Sequence, residues 1–209
     1  MRTNPKPWKK NGQLQSIIVL WLVVWGCLAI APYSRYDWVL ENLLIWAALA
    51  GLVGTYRLFT FTNTSYALLA VFLLLHAYGA YTSYNTTGFD TWMRQLFGTE
   101  RDNYDRLVHF SFGLLCAYPI REALGAWTTL GSKWIYAMTC VIVLAMGAFY
   151  ELIEMWVAFL VAPELGILFV GAQGDPWDAQ HDMAVAMYGA MIAMGLTAIW
   201  KRKHIVRKQ

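Results

Sequence analysis

Three short spacings put ionisable side chains on shared helical faces within a largely apolar chain. Asp105 and His109 are four residues apart, Glu151 and Glu154 three, and Asp178 and Asp182 four. Residues at those separations stand one above another on a helix. His76 is a further ionisable group inside an apolar run, and Asp175 precedes the last pair. Carboxylates bind hard divalent cations through oxygen, and with histidines they suit zinc. A bound metal activates water against a phosphate or an ester. His109, oriented by Asp105, has the chemistry of a general acid and base. Two carboxylates one turn apart, as Glu151 and Glu154 are, repel when buried; one must hold a proton, or a cation must lie between them. The candidate catalytic group is therefore His109, Asp105, Glu151 and Glu154. Candidate metal ligands are Asp175, Asp178, Asp182 and His76. Candidate substrate contacts are Arg106, Gln173, Trp177 and Gln180. No Ser or Cys stands in a nucleophile motif, which disfavours a covalent mechanism.

Each of these residues also has a plain structural role open to it. Asp105 suits a helix N-cap, and Asp178 and Asp182 suit the first turn of a helix. His76 can bond a backbone carbonyl. Arg121 with Glu122 reads as a solvated helix end.

The elements that carry these groups are apolar helices. A hydrocarbon core of about 30 Å takes about 20 mostly apolar residues. Runs at residues 13–31, 38–56, 66–84, 105–121, 134–161 and 181–200 approach that length. Backbone groups in lipid must pair within their own segment, so such spans are helices. The fold class expected is all-α: a polytopic transmembrane bundle of about six helices, forming a single integral membrane domain over residues 1–209. The first run has the basic front of a signal peptide, but Pro32 follows Ala29-Ile30-Ala31, and it reads as an uncleaved anchor. Two loops of about twenty residues, before the fourth and sixth runs, are long for a compact bundle. Ala186, Gly189, Ala190 and Ala193 form a stripe suited to close helix contact.

Basic residues set the orientation. Twelve of the sixteen Lys and Arg fall at the termini and in alternate loops: Arg2, Lys6, Lys9, Lys10, Arg57, Arg121, Lys133, Lys201, Arg202, Lys203, Arg207 and Lys208. Arg35, Arg94, Arg101 and Arg106 fall on the other side. Both termini are expected in the cytoplasm of a bacterial cell, with the chain in the inner membrane. The orientation uses no acidic residue or histidine, yet it places every candidate site residue in the outer half of the bundle.

Composition agrees. Apolar residues make up 58% of the chain and charged ones only 14%, well below the share usual in soluble domains. The 11 Trp and 12 Tyr suit the membrane interfaces. No basic stripe suggests nucleic acid; the expected partners are membrane lipids. Cys27, Cys116 and Cys140 sit in apolar runs without a CxxC motif and read as packing residues.

Several stretches carry a resemblance: His76-Ala77-Tyr78-Gly79 with Tyr81, Arg101 to Phe110, Glu151-Leu152-Ile153-Glu154, and Gln173 to Met183. On these the chain resembles the YjdF-type family of uncharacterised bacterial inner-membrane proteins. More distantly it is similar to VanZ-like membrane proteins, which are linked to glycopeptide resistance. Their Asp–basic–x–x–His–Phe helix start matches Asp105, Arg106, His109 and Phe110. Glu151 with Glu154, and Asp178 with Asp182, fit two further elements, with Glu and Asp where Gln and Asn are common. Those departures add negative charge, which favours cation binding. Neither resemblance supplies a reaction.

Two functional classes follow. The first is a metal-assisted hydrolase or transferase acting on a lipid-linked substrate at the outer face, with a divalent metal ion as its cofactor. The second is non-enzymatic, a proton-coupled transporter or binding component. The cytoplasmic half lacks matching ionisable groups, so no through-path is visible for a transporter. A purely structural polar network is a third reading. A topology reporter fused after Gln209 is expected to report cytoplasm; a periplasmic signal would invert every placement above.

Overall fold

The computed structural model describes residues 8–84, 87–161 and 175–206. Among them all regular structure is helical. A short 3-10 turn, Trp8–Lys10, precedes α1 (Gly12–Leu28), α2 (Arg35–Thr55), α3 (Asn63–Thr82), α4 (Gly88–Phe97), α5 (Tyr104–Trp127), α6 (Ser132–Val161) and α7 (Asp178–Val206). Six of these overlie the six apolar runs; α4 falls where the sequence reads as loop. Among the described residues four helices, α2, α3, α6 and α7, are long and apolar enough to cross a membrane. Packing divides the chain into two compact units, Met1–Val108 with Arg121–Thr129, and His109–Ile120 with Leu130–Gln209.

In the first unit α3 packs on both α1 and α2, and polar pairs at the helix ends fix their directions. The Asn11 side chain caps α1, accepting from Leu14 N at 3.2 Å. Its amide also exchanges hydrogen bonds with that of Asn63, at 2.9 and 3.1 Å, which joins the start of α1 to the start of α3. Tyr33 N donates to Tyr81 O at 2.9 Å, so the chain leaving α1 meets the end of α3. The two helices are therefore parallel. Trp25 Nε1 donates to Asn42 Oδ1 at 2.8 Å, and the Asn42 amide donates to Trp38 O at 2.6 Å, pinning the start of α2 to the end of α1.

Glu122 corrects the sequence reading. Its carboxylate accepts from Thr62 N at 2.8 Å, from Thr62 Oγ1 at 3.0 Å and from Ser65 Oγ. It is thus an anion at the N-terminus of α3, where orphan amides and the helix dipole favour negative charge. Near the other end of α5, Tyr104 Oη donates to Leu75 O at 2.9 Å. These two contacts make α5 antiparallel to α3.

The short helix α4 forms because Thr87 and Asp90 make a capping box and Gly98 closes the helix at φ 63°. It leaves Trp92, Leu96 and Phe97 exposed beside Arg94 and Gln95.

In the second unit α6 packs along α7, and α7 crosses the middle of α5 backbone against backbone. A Cβ at Gly113 would stand 1.8 Å from Ala186 O, and one at Gly189 would stand 2.3 Å from Phe110 O. Neither position admits a side chain without moving the helices. Ala117, Ala186, Ala190 and Ala193 are buried around this crossing with Val143 and Met194. Between helices in lipid there is little hydrophobic driving force, so close packing through small residues holds them. Meanwhile α6 exposes Phe149, Leu152, Trp156 and Phe159, an apolar outer surface suited to lipid and untenable in water. Substituting Gly189→Leu is expected to destabilise the protein by about 1–3 kcal/mol through overpacking, read as a lowered melting temperature in detergent. Gly195→Ala, where nothing lies within 4 Å of the added carbon, is expected to be neutral or mildly stabilising. Equal effects at the two positions would contradict the close crossing.

Candidate functional site

Each helix of the second unit turns one stripe inward, and each stripe becomes ionisable toward the same end. On α5 the stripe runs Ala117, Gly113, His109; on α7 it runs Ala190, Ala186, Asp182, Asp178. Both follow the four-residue period of a helical face. On α6 the inner face carries Gly147, Glu151, Glu154 and Ala158, less exposed than Phe149, Leu152, Ile153, Met155 and Trp156 around them. The small residues let the helices approach, and that approach brings the ionisable ends together.

The geometry is tight. His109 is 6% exposed and Asp182 2%. His109 Nε2 lies 3.4 Å from Glu151 Oε1. His109 and Asp182 present ligand atoms within 4.8 Å of one another. Two ligands of one ion, at bond lengths of about 2.1–2.5 Å, stand about 3–5 Å apart depending on the angle between them, so this gap is one that a single cation spans. The Tyr150 ring meets the His109 ring edge-on, with centroids 5.8 Å apart, and limits its rotation. Asp178 is buried one turn before Asp182.

Asp105 stands one turn before His109 on α5, and it is not the cap of that helix. The Asp90 carboxylate does that work. Its Oδ1 accepts from Asn103 N at 2.5 Å and Tyr104 N at 2.9 Å, while its Oδ2 accepts from Thr87 N at 2.7 Å and Thr87 Oγ1 at 2.6 Å. One fully buried carboxylate therefore caps both α4 and α5. Sequence reasoning missed it, although Thr87 three residues before Asp90 carries the capping-box spacing.

Other predicted residues divide between two settings. Asp175 is engaged by the start of α7: its Oδ2 lies 2.9 Å from His181 Nδ1, and its Oδ1 accepts from Trp177 N at 2.9 Å. Trp177, Gln180 and His181 are exposed there, whereas Asp178 and Asp182 are buried. Glu154 and Arg106 are half-buried. Gln173 lies outside the described residues.

His76 belongs to the first unit, where both ring nitrogens are engaged. Nε2 lies 3.0 Å from Glu41 O and 3.7 Å from the Glu41 carboxylate; Nδ1 lies 2.6 Å from Tyr84 Oη. Tyr84 reaches it by folding back across α3 with φ 50°. A Cβ at Gly79 would stand 2.3 Å from its ring, so glycine there makes the contact possible. Sequence reasoning overlooked Glu41 and Tyr84; an acidic residue within the second apolar run was the available signal.

Residues 14–203 match the family described as Predicted membrane protein (DUF2238). The chain belongs to that family. It is also 31% identical over 164 residues to inner membrane protein YjdF of Escherichia coli (strain K12), covering 78% of each chain. No solved structure matches it. The family establishes a membrane protein and leaves the activity open, so the function is argued from the site.

Asp90→Ala removes two helix caps and is expected to cost about 2 kcal/mol or more, with a lowered melting temperature. Asp175→Ala, at a more exposed position, is expected to shift melting far less. Comparable shifts would contradict the double-cap assignment.

Proposed function

We propose that the protein crosses the inner membrane six times, through α1, α2, α3, α5, α6 and α7, with both termini in the cytoplasm. On this reading the α5–α6–α7 site binds one hard divalent cation at the outer face and directs it at a phosphate or ester of a lipid-linked substrate. The observation that carries the reading is the meeting of buried His109 and Asp182 with partly buried Glu151, from three helices. Ionisable groups are expensive there and are seldom gathered without a task.

In the proposed mechanism Asp182 and His109 would hold the cation, with Asp178 adding negative charge on the α7 face and Asp105, one turn before His109 on α5, orienting the imidazole. A cation held there would supply water activation and polarisation of the substrate oxygen. Glu151, in contact with His109, would accept the proton of the attacking water and return it to the leaving oxygen as that oxygen's bond to phosphorus or carbon breaks. Glu154 lies one turn further along α6 and adds to the field. Arg106, Gln173, Trp177 and Gln180 are the proposed substrate contacts, Trp177 exposing an aromatic ring suited to the interface.

Metal analysis of the detergent-purified protein, beside a Glu151→Ala, Asp178→Ala double variant and Asp182→Ala, tests this reading. One divalent ion per chain is expected in the parent protein, falling about tenfold or more in both variants while helical content stays unchanged. Absence of metal from the parent protein would overturn it and leave the His109–Glu151 contact as a proton-sharing pair. Loss of the folded protein from the membrane in the variants would instead mark the cluster as structural.

A further inference from the structure

The first unit contains a second feature, separate in residues and chemistry from the acidic site. Helices α1 and α2 both pack on α3, and they are pinned to each other near their connecting loop by Trp25, Trp38 and Asn42. Between the start of α1 and the end of α2 a wedge remains, floored by α3. It is a groove of about 520 Å³, walled by Ile17, Trp21, Leu49, Val53, Leu69 and Leu73. That volume falls among ligand sites, which run about 300–1,000 Å³.

Three properties identify its occupant. The walls are almost wholly apolar, so the bound portion is hydrocarbon. The groove follows α1 from Leu14 to Leu22, about 12 Å at 1.5 Å per residue, which is most of the depth of one leaflet, about 15 Å. Its mouth is polar and cationic: Trp8, Tyr56, Tyr66 and Arg57 line that end, and Lys9 and Lys10 adjoin Trp8. Among the described residues Arg57, Lys9 and Lys10 make no ion pair or side-chain hydrogen bond with the protein, and all three are exposed. A basic mouth over an apolar slot between transmembrane helices is complementary to an acyl chain beneath an anionic headgroup.

We propose that this groove is a binding site for one anionic phospholipid in the leaflet on the Lys- and Arg-rich side. An acyl chain lies between α1 and α2, and the phosphate is held by Arg57 with Lys9 and Lys10. A guanidinium offers a fork of donors matched to phosphate oxygens, and Trp8 and Tyr56 sit at headgroup depth. The lipid fills the groove lined by the first half of α1 and the last part of α2, and so bridges the two helices there.

Native mass spectrometry of the full-length protein tests the proposal, with phosphatidylglycerol and phosphatidylethanolamine of identical acyl chains as the two probes. The parent protein is expected to retain one phosphatidylglycerol per chain, about fivefold or more over phosphatidylethanolamine, since each nearby cation contributes on that order. Arg57→Gln is expected to reduce the preference about fivefold, and Arg57→Lys to keep part of it. Ala70→Trp, which puts a bulky ring on the groove floor, is expected to abolish retention of both lipids. Equal retention of the two headgroups by the parent protein would overturn the proposal. So would unchanged retention in an Ala70→Trp protein of normal helical content. Should Ala70→Trp fail to fold, the Arg57 variants decide the question alone, and an unaltered headgroup preference in Arg57→Gln would refute it.

Discussion

The close approach of α5 and α7 at Gly113 and Gly189 is the constraint on which the second unit depends. Backbone stands against backbone there, and a single added carbon at either glycine would occupy space already held by a carbonyl. Lipid gives two helices little hydrophobic reason to associate, so the attraction must come from dispersion across a closely fitted surface. The fit fixes both the separation and the register of the helices. Register in turn sets which side chains face each other one turn beyond the crossing, and there His109 meets the α7 face bearing Asp182. A looser crossing would leave the same residues on the same helices without bringing their ligand atoms within reach of one ion. Small residues in the middle of the stripe and ionisable residues at its end are thus two parts of one arrangement.

The first unit is organised differently, by polar pairs at helix ends. Asn11 with Asn63, Glu122 with the start of α3, and Asp90 with the starts of α4 and α5 each satisfy backbone or amide groups that lipid could not. The carboxylates also complement the positive ends of helix dipoles. These joints fix helix direction while leaving the packing between α1 and α2 incomplete, and the apolar groove occupies that incompleteness. His76 is held in the same way, between Glu41 and Tyr84.

The sequence made much of this legible, for definable reasons. Each of the six apolar runs fell on a helix to within a few residues, except that α5 and α7 each end six residues further on, because unpaired backbone is costly in lipid. The stripe of Ala186, Gly189, Ala190 and Ala193 announced a close contact because small residues at helical spacing have little other use in a span. Local spacing also singled out His109, Glu151 and Asp182, since charge inside an apolar run stands out. The parts that stayed hidden depend on pairing between distant segments. Glu122 looked like a solvated end because its partners, Thr62 and Ser65, lie some sixty residues away. His76 carried no sign that Tyr84 would fold back over Gly79. Helix α4 escaped because ten residues with one apolar face give too weak a signal beside spans twice as long.

In the proposed site His109 and its acidic neighbours hold a single cation. Manganese(II) titrated into the purified protein tests it most directly, because electron-spin-echo spectroscopy reads nitrogen bound to the metal. One saturable manganese site per chain is expected, with coupling to one imidazole nitrogen that is lost in His109→Gln while the protein remains folded. Saturable binding without nitrogen coupling, or coupling that survives His109→Gln, would contradict it.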